Sequence, residues 1–183
     1  MTPKMQEIAG ELDKARRGLL AAVQGLSQAE LDARPKPDSW SVGEVMHHVS
    51  KIESGMIGML SKLALPAIAD GLPKDPAPEQ SVLSMVEHLP VLDRTQRITA
   101  PEFVRPTHGI SREELEAGLA RTRGELLAAM EQADGYDLSG LSRPHPRFGP
   151  LNLYQWLALS ARHEQRHTAQ IAEAREALAA GAN

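Results

Sequence analysis

Two histidines four positions apart, His163 and His167 in ARHEQRHTAQI, and a third, His48 in WSVGEVMHHVS, are the residues of this chain best suited to chemistry. Imidazoles at i and i+4 lie one turn apart on a helix and reach one divalent cation, and a third from a facing helix completes a tripod. The chain has no cysteine. That removes thiolate ligands, disulfides and a cysteine nucleophile together, so any metal is held by nitrogen or oxygen. The plainer reading of any one buried histidine, a ring hydrogen-bonded to a neighbour, competes with the metal reading.

Direction follows from helical phase. Successive side chains are about 100° apart, so with Val45 at zero, Ile52 and Met56 fall within about 20°, His48 lies about 60° to one side and His47 about 160° away. His48 is therefore expected on the inner flank and His47 in solvent. On the last helix, Leu153, Trp156, Ser160, Ile171 and Ala174 set the centre of the stripe, with His167 near the middle and His163 about 40° off. Both are expected to point inward.

The elements that must position these rings are four long amphipathic helices. Met5, Ile8, Leu12, Ala15, Leu19, Ala22 and Leu26 mark the first, with Thr2 as cap and Pro3 at its first position. Ser27 with Glu30 starts a short turn of helix that RPKPD stops. Ser41 with Glu44 opens the second long helix, where Trp40 is placed to staple onto Val45 and the inner face reads Val45, Val49, Ile52, Met56, Met59 and Leu63. Ser111 with Glu114 opens the third, striped by Leu115, Leu119, Leu126 and Met130 and ended by Gly135; Asn152 and Gln155 mark the fourth. Residues 66–107 are rich in proline, with one helix expected near 79–89, and a connection of that length is usually a lid, a rim or an interface element. With no alternating strand pattern, the expected fold is all-α: a single-domain four-helix bundle over residues 1–183 with a long connection between its second and third long helices.

A net charge of −4 with both signs interleaved offers no basic face for nucleic acid. The N-terminus lacks the layout of a secretion signal, and no run of apolar residues approaches the length of a membrane span. A cytoplasmic protein acting on a small molecule, with neither nucleic acid nor membrane as partner, is the expectation.

Trp40-Ser41-Val42-Gly43-Glu44-Val45-Met46-His47-His48 resembles the motif of the DinB-like superfamily in which a histidine follows a tryptophan by eight positions. His163-Glu164-Gln165-Arg166-His167-Thr168-Ala169-Gln170 is similar to that family's His-x-x-x-His-x-x-Gln/His motif. The superfamily includes YfiT-type metal-dependent hydrolases and enzymes that use bacillithiol or mycothiol. The resemblance implies that His48, His163 and His167 ligate one divalent metal, commonly zinc or nickel, in a bundle that often forms homodimers. His88, His108 and His145 match no ligand of the family and are expected at the surface.

A three-imidazole site with an open position suits two reactions: hydrolysis by an activated water, or transfer of a low-molecular-weight thiol cosubstrate to an electrophile. Glu44 and Glu164 are the carboxylates near enough in sequence to serve as a base in hydrolysis. Each has a plainer role, Glu44 as capping partner of Ser41 and Glu164 as partner of an arginine such as Arg162 or Arg16. Gln170 is placed to orient an imidazole through its second nitrogen. The competing class is a non-enzymatic bundle whose metal is structural and whose apolar faces serve dimerisation.

Overall fold

A computed structural model describes residues 1–95 and 99–181. The elements run α1 (Pro3–Val23), α2 (Gln28–Asp32), α3 (Val42–Met59), α4 (Leu65–Ala69), α5 (Arg112–Ala133), β1 (Ser142–His145), β2 (Gly149–Asn152) and α6 (Leu153–Gly181). α1 packs along α6 and α3 along α5, with α3 also against α6, which makes the four-helix bundle.

Each long helix begins where its sequence offers a cap. Thr2 accepts from the Met5 N–H ahead of Pro3, and reciprocal Ser/Glu capping boxes open α2, α3 and α5 at Ser27, Ser41 and Ser111. Each box satisfies two backbone donors that would otherwise lack partners. Asn152 and Gln155 do the same at the head of α6, each side chain accepting from the other's backbone N–H at 2.9 and 3.0 Å. α5 stops at Asp134, and Gly135 turns the chain with φ +76, a region that a side chain disfavours.

α3 does not end at Met59. Leu60–Ala64 form a π-helical turn, with the Leu65 N–H bonded to the Leu60 carbonyl, before α4 continues the rod. Pro66 explains the widening, because a proline in a regular helix lacks its N–H and crowds the carbonyl four residues back. The resulting helix, Val42–Ala69, is long and apolar enough by composition to cross a membrane. Ser, Lys, Glu and His break every apolar run within it well short of a membrane span, and it qualifies only on its average hydropathy. In the fold this helix belongs to the bundle, and it buries Glu53 and His48.

The core has two apolar halves. Met5, Ile8, Leu12, Met56, Leu60, Leu126, Met130 and Leu157 fill one; Leu19, Val23, Val45, Met46, Val49, Leu115, Leu119 and Ile171 fill the other. Between them lies a buried ionic quartet with one member from each long helix. Glu53 accepts from Arg16 (2.8 Å), Arg123 (2.7 Å) and the Thr122 hydroxyl (2.7 Å), and Glu164 accepts from Arg16 (2.7 Å) and Arg123 (2.8 Å). The spare guanidinium donors of Arg16 and Arg123 go to the carbonyls of Leu119 and Leu12. Burial opposes every charge here. At Arg16 the attraction of Glu164 and Glu53 wins and its pKa is raised, whereas at Glu164 desolvation wins and its carboxyl is raised. Both Glu164 oxygens lie within 2.8 Å of guanidinium donors, a geometry that belongs to the ion pair.

Two expectations fail outside the helices. The loop SRPHPRFGP is an antiparallel hairpin with Ser142 opposite Asn152 and His145 opposite Gly149. Its strands are only four residues long and carry Pro144 and Pro150, so neither alternation nor β-propensity marks them. The helix expected near 79–89 shrinks to a single 3₁₀ turn, Leu83–Met85, flanked by the buried Val82 and Val86.

Candidate metal centre

His48 lies two turns into α3, and His163 and His167 lie in the middle of α6, at the level of the ionic quartet. The three rings meet: centroids are 5.2 Å apart for His48 and His163, 4.8 Å for His48 and His167, and 4.4 Å for His163 and His167. One nitrogen from each falls within 4.8 Å of the other two. The Nε2 atoms of His163 and His167 are 3.2 Å apart. Two nitrogens bound to one tetrahedral zinc at about 2.0–2.1 Å would be separated by about 3.4 Å, so this edge is close to the size a cation requires.

The second nitrogen of two rings is fixed. Nδ1 of His48 lies 2.7 Å from the Val104 carbonyl, and Nδ1 of His167 lies 2.8 Å from Oε1 of Gln170. Both partners are acceptors, so each Nδ1 carries the proton and each Nε2 presents its lone pair to the cluster. Burial pushes all three imidazoles below their ordinary pKa. His167 falls to about 3, with the charge of His48 adding to desolvation and the Gln170 bond opposing it. His163 falls well below its usual value through burial and then through His167 and His48; His48 falls through burial, partly offset by its bond to Val104. Three unprotonated rings with convergent lone pairs are the donor set a divalent cation needs.

Trp40, just before the Ser41 cap, covers the cluster. Its ring lies 4.8 Å from that of His48 and stacks at 6.3 Å over His167. The rings open onto a cavity of about 1350 Å³, which Trp40 also lines. Its walls come from the α3 face at Ile52 and Met59, the hairpin, the stretch from Thr99 to Pro106, and the α6 stripe that includes Ser160. Residues 66–107 therefore contribute a rim to this chamber. A separate shallow depression beside Gln28, Asp32 and Arg112 holds none of the three rings.

The two carboxylates considered as bases are engaged elsewhere. Glu44 caps Ser41 and forms a two-pronged ion pair with Arg34, which with the cap holds its carboxyl low in spite of burial. Glu164 is not among the residues that line the cavity and joins the ionic quartet through Arg16 and Arg123. Arg162, the other partner considered for it, does not take that role.

His47 is half-buried rather than fully in solvent, and its Nδ1 accepts the Thr107 N–H at 2.9 Å. His88 and His108 are exposed, as expected. His145 is not: it stacks on Phe148 at 4.6 Å, meets Trp156 at 4.9 Å and lines the cavity. Only the hairpin brings it there, and no local pattern signals that. Val104, whose carbonyl holds His48, also has no sequence signal, since any residue supplies a carbonyl.

A helical bundle with three imidazoles gathered from two of its helices at the edge of a cavity defines the class. Within that class the chain belongs to the DinB superfamily, whose sequence model matches residues 11–171. It is 28% identical over 167 residues to the uncharacterized protein YuaE of Bacillus subtilis (strain 168), covering 91% of this chain and 96% of that protein. Among solved structures it is similar to TT2238, described as a four-helix bundle protein, with a TM-score of 0.60, 23% identity, and coverage of 92% of this chain and 98% of the other. That likeness concerns the fold alone.

Proposed function

We propose that this chain is a metal-dependent transferase that activates a low-molecular-weight thiol for attack on an electrophilic small molecule. The observation that carries the reading is the convergence of His48, His163 and His167, with two second nitrogens tethered, at the edge of an open chamber. The nitrogen donors suit zinc or nickel. A divalent cation held by His48, His163 and His167 would supply Lewis acidity, the chemistry that lowers the pKa of a thiol.

The protein's own part is to keep the rings unprotonated by burial, to fix two tautomers through Val104 and Gln170, and to offer a chamber that admits a small molecule to them. The absence of cysteine requires the sulfur nucleophile to come from outside. Hydrolysis is the weaker reading, because both nearby carboxylates are committed to arginines and neither is free to serve as a base. A purely structural metal is disfavoured by the chamber, since structural sites are closed.

The test is metal content of untagged protein by mass spectrometry, followed by turnover of an aryl halide with and without added thiol. In that reaction the S–H proton leaves to solvent, a sulfur–carbon bond forms and halide departs. About one metal per chain and thiol-dependent product are expected, both lost in His48→Ala without loss of helical signal. Metal with ester hydrolysis but no thiol dependence would move the reading to a hydrolase, and a chain that binds no divalent metal would end it.

A further inference from the structure

The chamber is charged against the grain of the molecule. The chain carries 24 acidic and 20 basic residues. Around the chamber, however, stand five arginines: Arg94, Arg105, Arg143, Arg147 and Arg166. Asp38 and Glu173 are the acids among the described lining residues.

Three of these arginines, Arg94, Arg147 and Arg166, are half-buried, and Arg94 and Arg166 are braced by main-chain carbonyls. Arg166 lies on the α6 stripe with His163 and His167, and donates to the carbonyls of Val91 (3.1 Å) and Asp93. Arg94 donates to the Arg166 carbonyl at 2.9 Å and to Glu173, while its Nε is buried and meets no acceptor among the described residues. Arg147 comes from the hairpin, with its guanidinium 5.6 Å from the centre of the Phe148 ring. Like charges are gathered from three separate segments, and five arginines against Asp38 and Glu173 leave the described lining with a net positive charge, although Asp93 lies near Arg147 and Arg166. Guanidinium groups held in advance by backbone are suited to planar or tetrahedral oxyanions.

From this wall we infer that the chamber binds its small molecule through an anionic group, a carboxylate or phosphate held by Arg94, Arg147 and Arg166, with the reacting end directed to the imidazoles. This rests on the reading of the chamber as the substrate site and adds the substrate's chemical class. Arg105 and Arg143, exposed at the rim, extend the positive potential outward and favour entry of anions.

Both tryptophans of the chain, Trp40 and Trp156, line the chamber, so its occupancy can be followed by intrinsic fluorescence. The protein is titrated at constant ionic strength with inorganic phosphate, with succinate and with the uncharged succinamide, before and after chelation of metal. Saturable responses to phosphate or succinate are expected, none to succinamide, and they should survive chelation. Arg147→Met should weaken the responding anion about tenfold or more, while Arg147→Lys retains part of the affinity. Equal responses to succinate and succinamide, no response to either anion, or an unchanged affinity in Arg147→Met overturns the inference. If Arg147→Met fails to fold, Arg143→Met at the exposed edge of the hairpin is judged against a threefold loss in its place. Anion binding that vanishes on chelation overturns the arginine assignment but leaves the metal reading standing; anion binding by a chain that takes up no metal does the reverse.

Discussion

Glu53→Gln is the sharpest test of how the bundle is held at the level of its histidines. Glu53 is 2% exposed and accepts three hydrogen bonds, from Arg16, Arg123 and Thr122, none longer than 2.8 Å. Glutamine keeps the shape and one carbonyl acceptor, but it turns an NH₂ toward a guanidinium donor and leaves two buried arginines to share Glu164. Removing one partner of a buried ion pair costs about 3–5 kcal/mol, and the retained acceptor places this case near about 3. With a urea slope of about 2 kcal/mol per molar, the midpoint should fall by about 1.5 M. The melting temperature should fall by about 6–12 °C for a domain of this size. The assay is urea unfolding followed by circular dichroism, read beside a variant in which Arg16, Glu53, Arg123 and Glu164 are all replaced by Met or Leu. That variant should unfold near the parent midpoint, because a well-packed apolar substitute removes the desolvation cost together with the attraction. A Glu53→Gln loss below about 1 kcal/mol would refute the view of the quartet as a balanced charge layer, since even one charge-assisted bond contributes about 1.5–3 kcal/mol.

Other outcomes follow from the same geometry. Gln170→Leu frees Nδ1 of His167 and should weaken metal affinity about 10–100-fold in a chelator competition, while Gln170→Glu, which keeps an acceptor, should lose less. Ser41→Ala removes the acceptor of the Glu44 N–H at the head of α3 and should cost about 0.5–2 kcal/mol in urea unfolding. Burial alone would raise the Asp75 carboxyl, but Lys4, the Ala77 N–H and the Tyr154 hydroxyl hold it below its ordinary value. A lowered native pKa contributes stability that is present above the unfolded value of about 3.9 and lost as pH falls through the native one. Asp75→Asn should therefore lower stability at neutral pH and flatten the acid limb of a stability-versus-pH curve; an unchanged acid limb would count against the pairing.

The long helices were legible because each carries two independent signals, a cap and a stripe. Ser41 with Glu44 and Ser111 with Glu114 give starts that the structure reproduces, and Leu115, Leu119, Leu126 and Met130 are all buried. Helical phase also brought His48, His163 and His167 to one place, since direction depends only on spacing once a helix is granted. What escaped has no period. The hairpin is too short and too rich in proline to alternate, so the sequence points His145 to the surface while the fold turns it into the chamber wall. Tertiary partners are equally silent in a linear reading. Arg16 was one of two arginines considered for Glu164, whereas Arg123 and the whole quartet depend on four helices crossing at one level. Gln170 was readable because it lies one turn from His167; the Val104 carbonyl lies 56 positions from His48 and was not.

The bond from His48 to Val104 separates two kinds of inheritance. Because the acceptor is main chain, a different amino acid at position 104 still offers the same oxygen, provided the backbone keeps its path. Phe103, 78% exposed, and the exposed Arg105 flank that anchor and line the chamber. The alphabet of the rim can therefore be rewritten, and with it the choice of molecule admitted, while the ring beneath keeps its orientation.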